Sequence, residues 1–276
     1  MNRVLLLSES PIARAAGYLQ GVAEAFIKRV MLVADPVAEP PGHPWDLPAV
    51  AALVDGVELH PKVTYLIGEN GTGKSSVLTA IALAAGMSPE GGSSNYAFPA
   101  EGERSEAFAF SRRPSHTWLA KSIRLVRGAR QPRTDFLLRA ESMFVAATYL
   151  EQLGRDALAS YGHRSLHEQS HGEGFLAIMI HRFGPDGLYL LDEPEAALST
   201  QNCLTCLRRM HRLVGQGSQF VIATHSPIIL AYPDATIYRC TADGLEAIEY
   251  EDAEPVRLTT SFLSARQRFL NELFAD

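Results

Sequence analysis

The sequence predicts an α/β fold: a mostly parallel central sheet flanked by helices, with an antiparallel β portion near the C-terminus. Three observations carry that expectation. The apolar run Val63–Ile67 leads through GENGTGKSS (68–76) into a second apolar run, Val77–Ala85, the order of a strand, a loop and a helix. The runs Leu188–Leu191 and Phe220–Ala223 are short, wholly apolar and bounded by turn residues, as strands buried on both faces are. Between them Thr200–Val214 has the length and spacing of a helix, so strands and helices alternate. With 276 residues and 46% hydrophobic content, the chain can bury a sizeable core, and residues 1–276 read as a single domain.

Taken in order, residues 1–41 read as an N-terminal extension. In it Ala13–Arg29 has helical character and Val30–Ala34 strand character. DPVAEPPGHPWDLP (35–48) holds five prolines and must be a loop. After the strand Val63–Ile67 and the helix Lys74–Ala85, residues 87–133 form an inserted loop and helical region. Its first part, MSPEGGSSNYAFPAEGE (87–103), is rich in Gly, Ser and Pro and has no periodicity. Thr134–Arg139 predicts a strand, and Glu141–Leu153 and Gly174–Arg182 predict helices. The final stretch, 235–276, predicts a hairpin, Thr236–Tyr250 turning at Ala242-Asp243-Gly244, then one amphipathic helix, Thr259–Phe274. No repeat of fixed period is present.

Composition narrows the functional classes. The net charge is −6, so bulk basicity does not call for nucleic acid. Three cysteines, an odd and low number, argue against a disulfide framework and fit a reducing compartment. No apolar run approaches the roughly 20 residues that cross a bilayer, and the N-terminal apolar run is too short for a signal-peptide core. A cytoplasmic protein without membrane insertion is the expectation.

The glycines of residues 68–76 need a reason, because glycine weakens strands and helices alike. Gly68-x-x-x-x-Gly73-Lys74-Ser75 is the phosphate-loop pattern, in the strand-then-helix setting the pattern requires. Chance alone gives these fixed positions in roughly 1% of chains this long. The backbone N–H groups of Gly68, Glu69, Asn70, Gly71, Thr72, Gly73, Lys74, Ser75 and Ser76 are expected to line one concavity. The helix N-terminus adds positive partial charge there. Lys74 is then placed to reach β and γ phosphates, and the Ser75 hydroxyl to bind Mg²⁺.

LYLLDEPEAALS (188–199) ends an apolar strand in two carboxylates. Asp192 at the strand tip suits a Mg²⁺-bound water, and Glu193, where the chain leaves the sheet, suits polarisation of an attacking water. The plainer reading is an acidic turn. QFVIATHSP (219–227) ends a further strand in His225, a γ-phosphate or water contact on the functional reading and a capping or core histidine on the plainer one. In SLHEQSHGEGFLAIMI (165–180), Ser170, Gly172 and Gly174 open a helix. Ser170 and Gly172 suit an anion site, while Ser170 with Glu173 also fits a capping box; both readings stand.

These four elements in this order resemble the ATP-binding-cassette superfamily of ATPases. More closely, the chain resembles the compact bacterial predicted-ATPase branch of the AAA and ABC-type families, over roughly residues 42–270. GENGTGKSS looks like Walker A, LYLLDEPEAALS like Walker B with its D-loop, ATHS like the H-switch, and QSHGEG (169–174) stands where the LSGGQ signature stands. The last departs from the pattern, with His171 and Glu173 in place of the two glycines. The family's Q-loop follows a strand downstream of Walker A; here Glu141 stands in for the glutamine as a metal-water contact. No NKxD sequence occurs, so the resemblance implies ATP, with Mg²⁺, rather than GTP. Trp45 and Tyr65 are candidates to stack on adenine, with Trp45 also readable as core.

The resemblance further implies a head-to-tail homodimer closing on ATP. Lys74, Ser75, Asp192, Glu193 and His225 would come from one copy, and Ser170 and Gly172 from the other. Three coupled roles are open: a stand-alone ATPase driving a partner protein, the ATP-binding subunit of a membrane transporter, and a DNA-linked ATPase of the repair or defence kind. A non-enzymatic nucleotide sensor is a fourth. A long coiled coil needs on the order of hundreds of residues, and the stretch between phosphate loop and signature is too short and has no heptads. The stretch 111–133 carries Arg112, Arg113, Lys121, Arg124, Arg127, Arg130 and Arg133 without an acid, so residues 112–133 are a candidate nucleic-acid surface or a solvated face. Cys203-x-x-Cys206 lacks a second pair and reads as core rather than as a zinc site.

Overall fold

The computed structural model describes residues 24–33, 42–88, 91–94, 114–140 and 170–275. Its strands are β1 (Ile27–Leu32), β2 (Val57–Glu58), β3 (Val63–Ile67), β4 (Ile123–Arg127), β5 (Thr134–Arg139), β6 (Gly187–Asp192), β7 (Gln219–Ala223), β8 (Thr236–Thr241) and β9 (Gly244–Ile248). Its α-helices are α1 (Pro48–Ala51), α2 (Lys74–Ala85), α3 (Pro114–Ser122), α4 (His171–Arg182), α5 (Thr200–Val214), α6 (Pro227–Leu230), α7 (Glu254–Ser264) and α8 (Arg266–Leu273). The central sheet runs β5-β6-β7-β3-β8-β9. Its first five strands are mutually parallel, and β9 turns back antiparallel on β8. A second sheet, β2-β1-β4, is antiparallel throughout. The predicted class, an α/β fold with a mostly parallel sheet and antiparallel additions, is the observed one.

The strand period of two sends alternate side chains to opposite faces of the central sheet. One face takes Val63, Tyr65, Ile67, Phe136, Leu138, Tyr189, Leu191, Phe220 and Ile222, covered by α4, α5 and α6 through Phe175, Met179, Cys206, Met210 and Ile229. The other takes Leu66, Leu137, Leu188, Leu190, Val221 and Ala223, covered by α2 through Leu78 and Ile81 and by the small sheet through Phe26, Ile27 and Val30. Burial on both faces explains why the interiors of β6 and β7 read as unbroken apolar runs and why β3 is apolar except for the buried Thr64. Each large side chain so enclosed contributes about 1.5–3 kcal/mol.

Two polar side chains tie these layers together. Gln219, 1% exposed at the start of β7, accepts from the Phe26 and Ile27 amides and donates to the Ile27 and His60 carbonyls. It thereby ties β1 to the base of the central sheet. Arg209 of α5 donates to the carbonyls of Met179, Ile180 and Phe183, which caps the C-terminus of α4. Cys203 and Cys206 are buried, and the Cys206 sulfur lies 3.6 Å from that of Met179. Burial pushes the Cys206 thiol up to about 12, so this pair is core, as its spacing suggested.

Four sequence expectations need correction. Ile27–Arg29 is strand, not the end of a helix, because Gln219 and β4 satisfy its backbone from a distance. Residues 24–33 are likewise no mere extension, since β1 is the middle strand of its sheet. The predicted insertion at 87–133 supplies β4 to that same sheet. The C-terminal helix is two helices: Ala265, at φ −137 and ψ 39, leaves helical geometry between α7 and α8. The predicted helix Glu141–Leu153 lies outside the described residues.

Candidate functional site

Three neighbouring strands end at one edge of the central sheet, β6 in Asp192, β7 just before Thr224 and His225, and β3 just before Gly68. The phosphate-like loop leaves β3 and enters α2. Gly68, Gly71 and Gly73 take φ values of +140, +84 and +98. At Gly68 a Cβ would stand 2.8 Å from the Cys240 carbonyl oxygen, and at Gly73 one would stand 2.9 Å from the Leu47 Cβ. The loop therefore needs glycine for both conformation and space. It is braced from outside, where the Ala49 amide donates to the Thr72 carbonyl at 3.0 Å. Within it the Thr72 hydroxyl donates to the Glu69 carbonyl at 2.9 Å. Helix α2 starts without a side-chain cap, so its first amides face the loop. Glu69, Asn70 and Gly71 are exposed, Ser75 and Ser76 half-buried.

Lys74, 4% exposed, spans the loop: its ammonium donates to the Gly68 carbonyl at 2.7 Å and the Glu69 carbonyl at 2.8 Å. Burial lowers its pKa, and the charges of Glu193, Asp192 and Glu195 work in the opposite sense. The Ser75 hydroxyl donates to Asp192 Oδ1 at 2.8 Å. Asp192 Oδ2 meets Arg139 Nε at 3.2 Å.

Glu193 sits in the left-handed region at φ 49, its amide donating to the Ala223 carbonyl at 2.9 Å. A non-glycine residue held there is strained, and such strain concentrates at working sites. Its carboxylate lies 3.9 Å from His225 Nε2. That nitrogen is buried and has no hydrogen-bond partner. The sequence reading missed Glu195. Its carboxylate accepts from the Thr224 hydroxyl at 2.7 Å and from the His225 amide, so it fixes the chain that carries His225. The available signal was a third carboxylate in DEPE, but the partner lies about thirty residues away in sequence. A cavity of about 430 Å³ opens beside the loop, bordered by Gly68, Glu69, Glu193, Glu195, His225 and Arg239.

Lys74, Ser75, Asp192, Glu193 and His225 thus converge. Ser170 and Gly172 do not join them: Ser170 forms a complete capping box with Glu173, and a Cβ on Gly172 would meet Asn202 at 2.9 Å and the Ala197 carbonyl at 3.0 Å. Glu141, Arg112 and Arg113 lie outside the described residues. Tyr65 is no adenine platform, being fully buried with its hydroxyl donating to the Ile229 carbonyl. Trp45 is half-buried and packs against the second core. Within the basic stretch, Arg130 and Arg133 pair with Asp186, and Arg127 donates to the Ala84 carbonyl. Lys121 and Arg124 are exposed. Among the described residues no helix is long and apolar enough to cross a membrane.

The residues fit a magnesium–triphosphate group. The loop keeps its positive-φ glycines packed closely against Cys240 and Leu47, Ser75 and Asp192 offer two hard oxygens side by side, and the orphaned His225 nitrogen awaits an acceptor or donor.

No protein-family model matches the sequence, and no curated protein matches it. Among solved structures, the chain is similar to an SMC head domain from Thermotoga maritima, at 15% identity and TM-score 0.40 over 81% of this chain and 99% of that one. It is also similar to an inward-facing protein classed as a metal-chelate type ABC transporter, at 16% identity and TM-score 0.39 over 71% and 76%. A third is an SMC head bound to the C-winged helix domain of ScpA, at 12% and TM-score 0.37 over 70% and 91%. Likeness at this level carries no information about chemistry.

Proposed function

We propose that this chain binds ATP with Mg²⁺ and hydrolyses its terminal phosphoanhydride, as the sequence resemblance to ATP-binding-cassette ATPases implies. The observation that carries the reading is the convergence of a glycine-built anion cradle with Lys74, the Ser75–Asp192 oxygen pair, Glu193 and His225 at one sheet edge. Lys74 and the α2 amides hold the β and γ phosphates. Ser75 and Asp192 hold the metal, which when bound neutralises charge on the phosphate oxygens. Glu193 takes a proton from the attacking water as its oxygen bonds to the γ-phosphorus, and the bridging oxygen leaves with ADP. His225 orients the γ-phosphate or that water. Catalysis by such a site is chiefly positioning and charge neutralisation.

Two copies, head to tail, would complete each site with the exposed Ser170 and with Gly172 at the start of α4, and closure on ATP would drive a partner protein.

Titration calorimetry tests the central claim. The full chain is expected to bind ATP with Mg²⁺, and Lys74→Ala to weaken binding about 100-fold or more, since a charge-assisted contact in a buried cradle is lost. Absence of binding by the unmodified chain would end the proposal. Glu195→Ala makes a subtler demand. It removes both acceptors, that of the Thr224 hydroxyl and that of the His225 amide, so kcat is expected to fall about tenfold or more while ATP affinity stays within about threefold. An unchanged kcat would show that Glu195 does not position His225.

A further inference from the structure

Arg139 ends β5 directly opposite Asp192 in the parallel register, so both side chains stand at the same sheet edge. Its guanidinium Nε is 3.2 Å from Asp192 Oδ2, with the two side chains 17% and 7% exposed. The other carboxylate oxygen accepts from Ser75. Both groups assigned to the metal are therefore engaged with each other, and the carboxylate charge is offset by a permanently charged arginine.

We propose that Arg139 is a positioning residue that makes the site select the metal–nucleotide complex over the free metal. The inference rests on the ATP reading above and adds a rule for how the ion arrives. A free divalent cation approaching Ser75 and Asp192 meets a carboxylate already neutralised, and it is repelled by the guanidinium behind it. A cation carried on a triphosphate brings surplus negative charge, which the α2 amides and Lys74 attract. The complex can then share Asp192 with Arg139 or displace it. Direct burial of an arginine against a metal carboxylate is otherwise costly, because a desolvated charge needs its partner. The arrangement also keeps Asp192 aimed when no nucleotide is held.

Mn²⁺ binding followed by electron paramagnetic resonance, on the full chain without nucleotide, tests this directly. The unmodified protein is expected to take up no stoichiometric Mn²⁺ at millimolar free ion. Arg139→Gln keeps a donor for Asp192 but removes the charge, and is expected to tighten Mn²⁺ binding on the order of tenfold or more. Arg139→Lys restores the charge and is expected to match the unmodified protein. Stoichiometric uptake of Mn²⁺ alone by the unmodified chain overturns the inference whether or not the variants fold. So does a folded Arg139→Gln protein with unchanged Mn²⁺ affinity. Calorimetry with ATP and Mg²⁺ on the unmodified chain separates the two levels. If nucleotide binds there and Mn²⁺ behaviour contradicts the expectation, only the role of Arg139 falls.

Discussion

Glu193→Gln is expected to lower ATP turnover by about 10²- to 10⁴-fold, the range over which a positioned general base contributes, while ATP affinity stays within a few-fold of the unmodified chain. The substitution is close to isosteric. It keeps the backbone in place, because the anchor there is the Glu193 amide on the Ala223 carbonyl, not the side chain. It removes only the carboxylate charge and its capacity to accept a proton. Lys74, Ser75 and the loop amides do not depend on that carboxylate for a hydrogen bond. Binding and chemistry should therefore separate, and calorimetry beside a phosphate-release assay reads both.

A second consequence concerns assembly. If hydrolysis opens a closed head-to-tail dimer, the variant should accumulate that dimer with ATP and Mg²⁺ on size-exclusion chromatography. Turnover at the unmodified rate would remove Glu193 from its assigned role. Loss of turnover without a dimer would leave the chemistry standing and discard the shared site. The left-handed backbone at Glu193 sharpens the case. Among the described residues the other non-glycine positions at positive φ are Asp186 and Asp234, a residue type that tolerates that region. Glutamate favours that region less; here it opens the 3-10 turn Pro194–Ala196, its carbonyl accepting from the Ala196 amide.

What was legible in the sequence was local. The glycine-rich loop announces itself because its glycines, lysine and serine are adjacent and the apolar runs on either side fix their setting. Strands β6 and β7 are legible because burial on both faces leaves their polar residues, Asp192 and Gln219, only at the ends. Helix α5 matches its predicted span because Ser199 caps it and its apolar stripe is regular. The capping box at Ser170 was legible for the same reason. The misses are non-local. The first half of β1, Ile27–Arg29, looks helical until Gln219, 192 positions away, is seen to hold the Ile27 amide. Glu195 and Arg139 acquire meaning only when the strand order sets β7 beside β6 and β6 beside β5. The break at Ala265 carries no glycine or proline to mark it.

Gln219→Leu is expected to destabilise the chain by roughly 3–5 kcal/mol, the upper range for a single substitution and one reached when buried polar groups lose their partners. Leucine nearly matches the volume and suits the apolar surroundings, so a cavity is not the cause. Its cost lies in what it cannot bond. The Phe26 and Ile27 amides, held at 2.9 and 3.0 Å, and the Ile27 and His60 carbonyls, held at 2.8 and 3.0 Å, would be left facing hydrocarbon. Gln219→Glu separates the two halves of the amide: it can still accept from the two N–H groups, but its second oxygen opposes two carbonyls. It should therefore be no more stable than the leucine variant near neutral pH. Urea denaturation measures both, and a loss below about 1 kcal/mol would mean that these hydrogen bonds are dispensable. Gln219 begins β7, whereas His225 follows its end, so the lesion lies at the opposite end of the strand from the candidate site. Below its lowered melting point the leucine variant should accordingly bind ATP with unchanged affinity. Hydrogen exchange should speed up first at the start of β1, where this side chain holds both the amide and the carbonyl of Ile27.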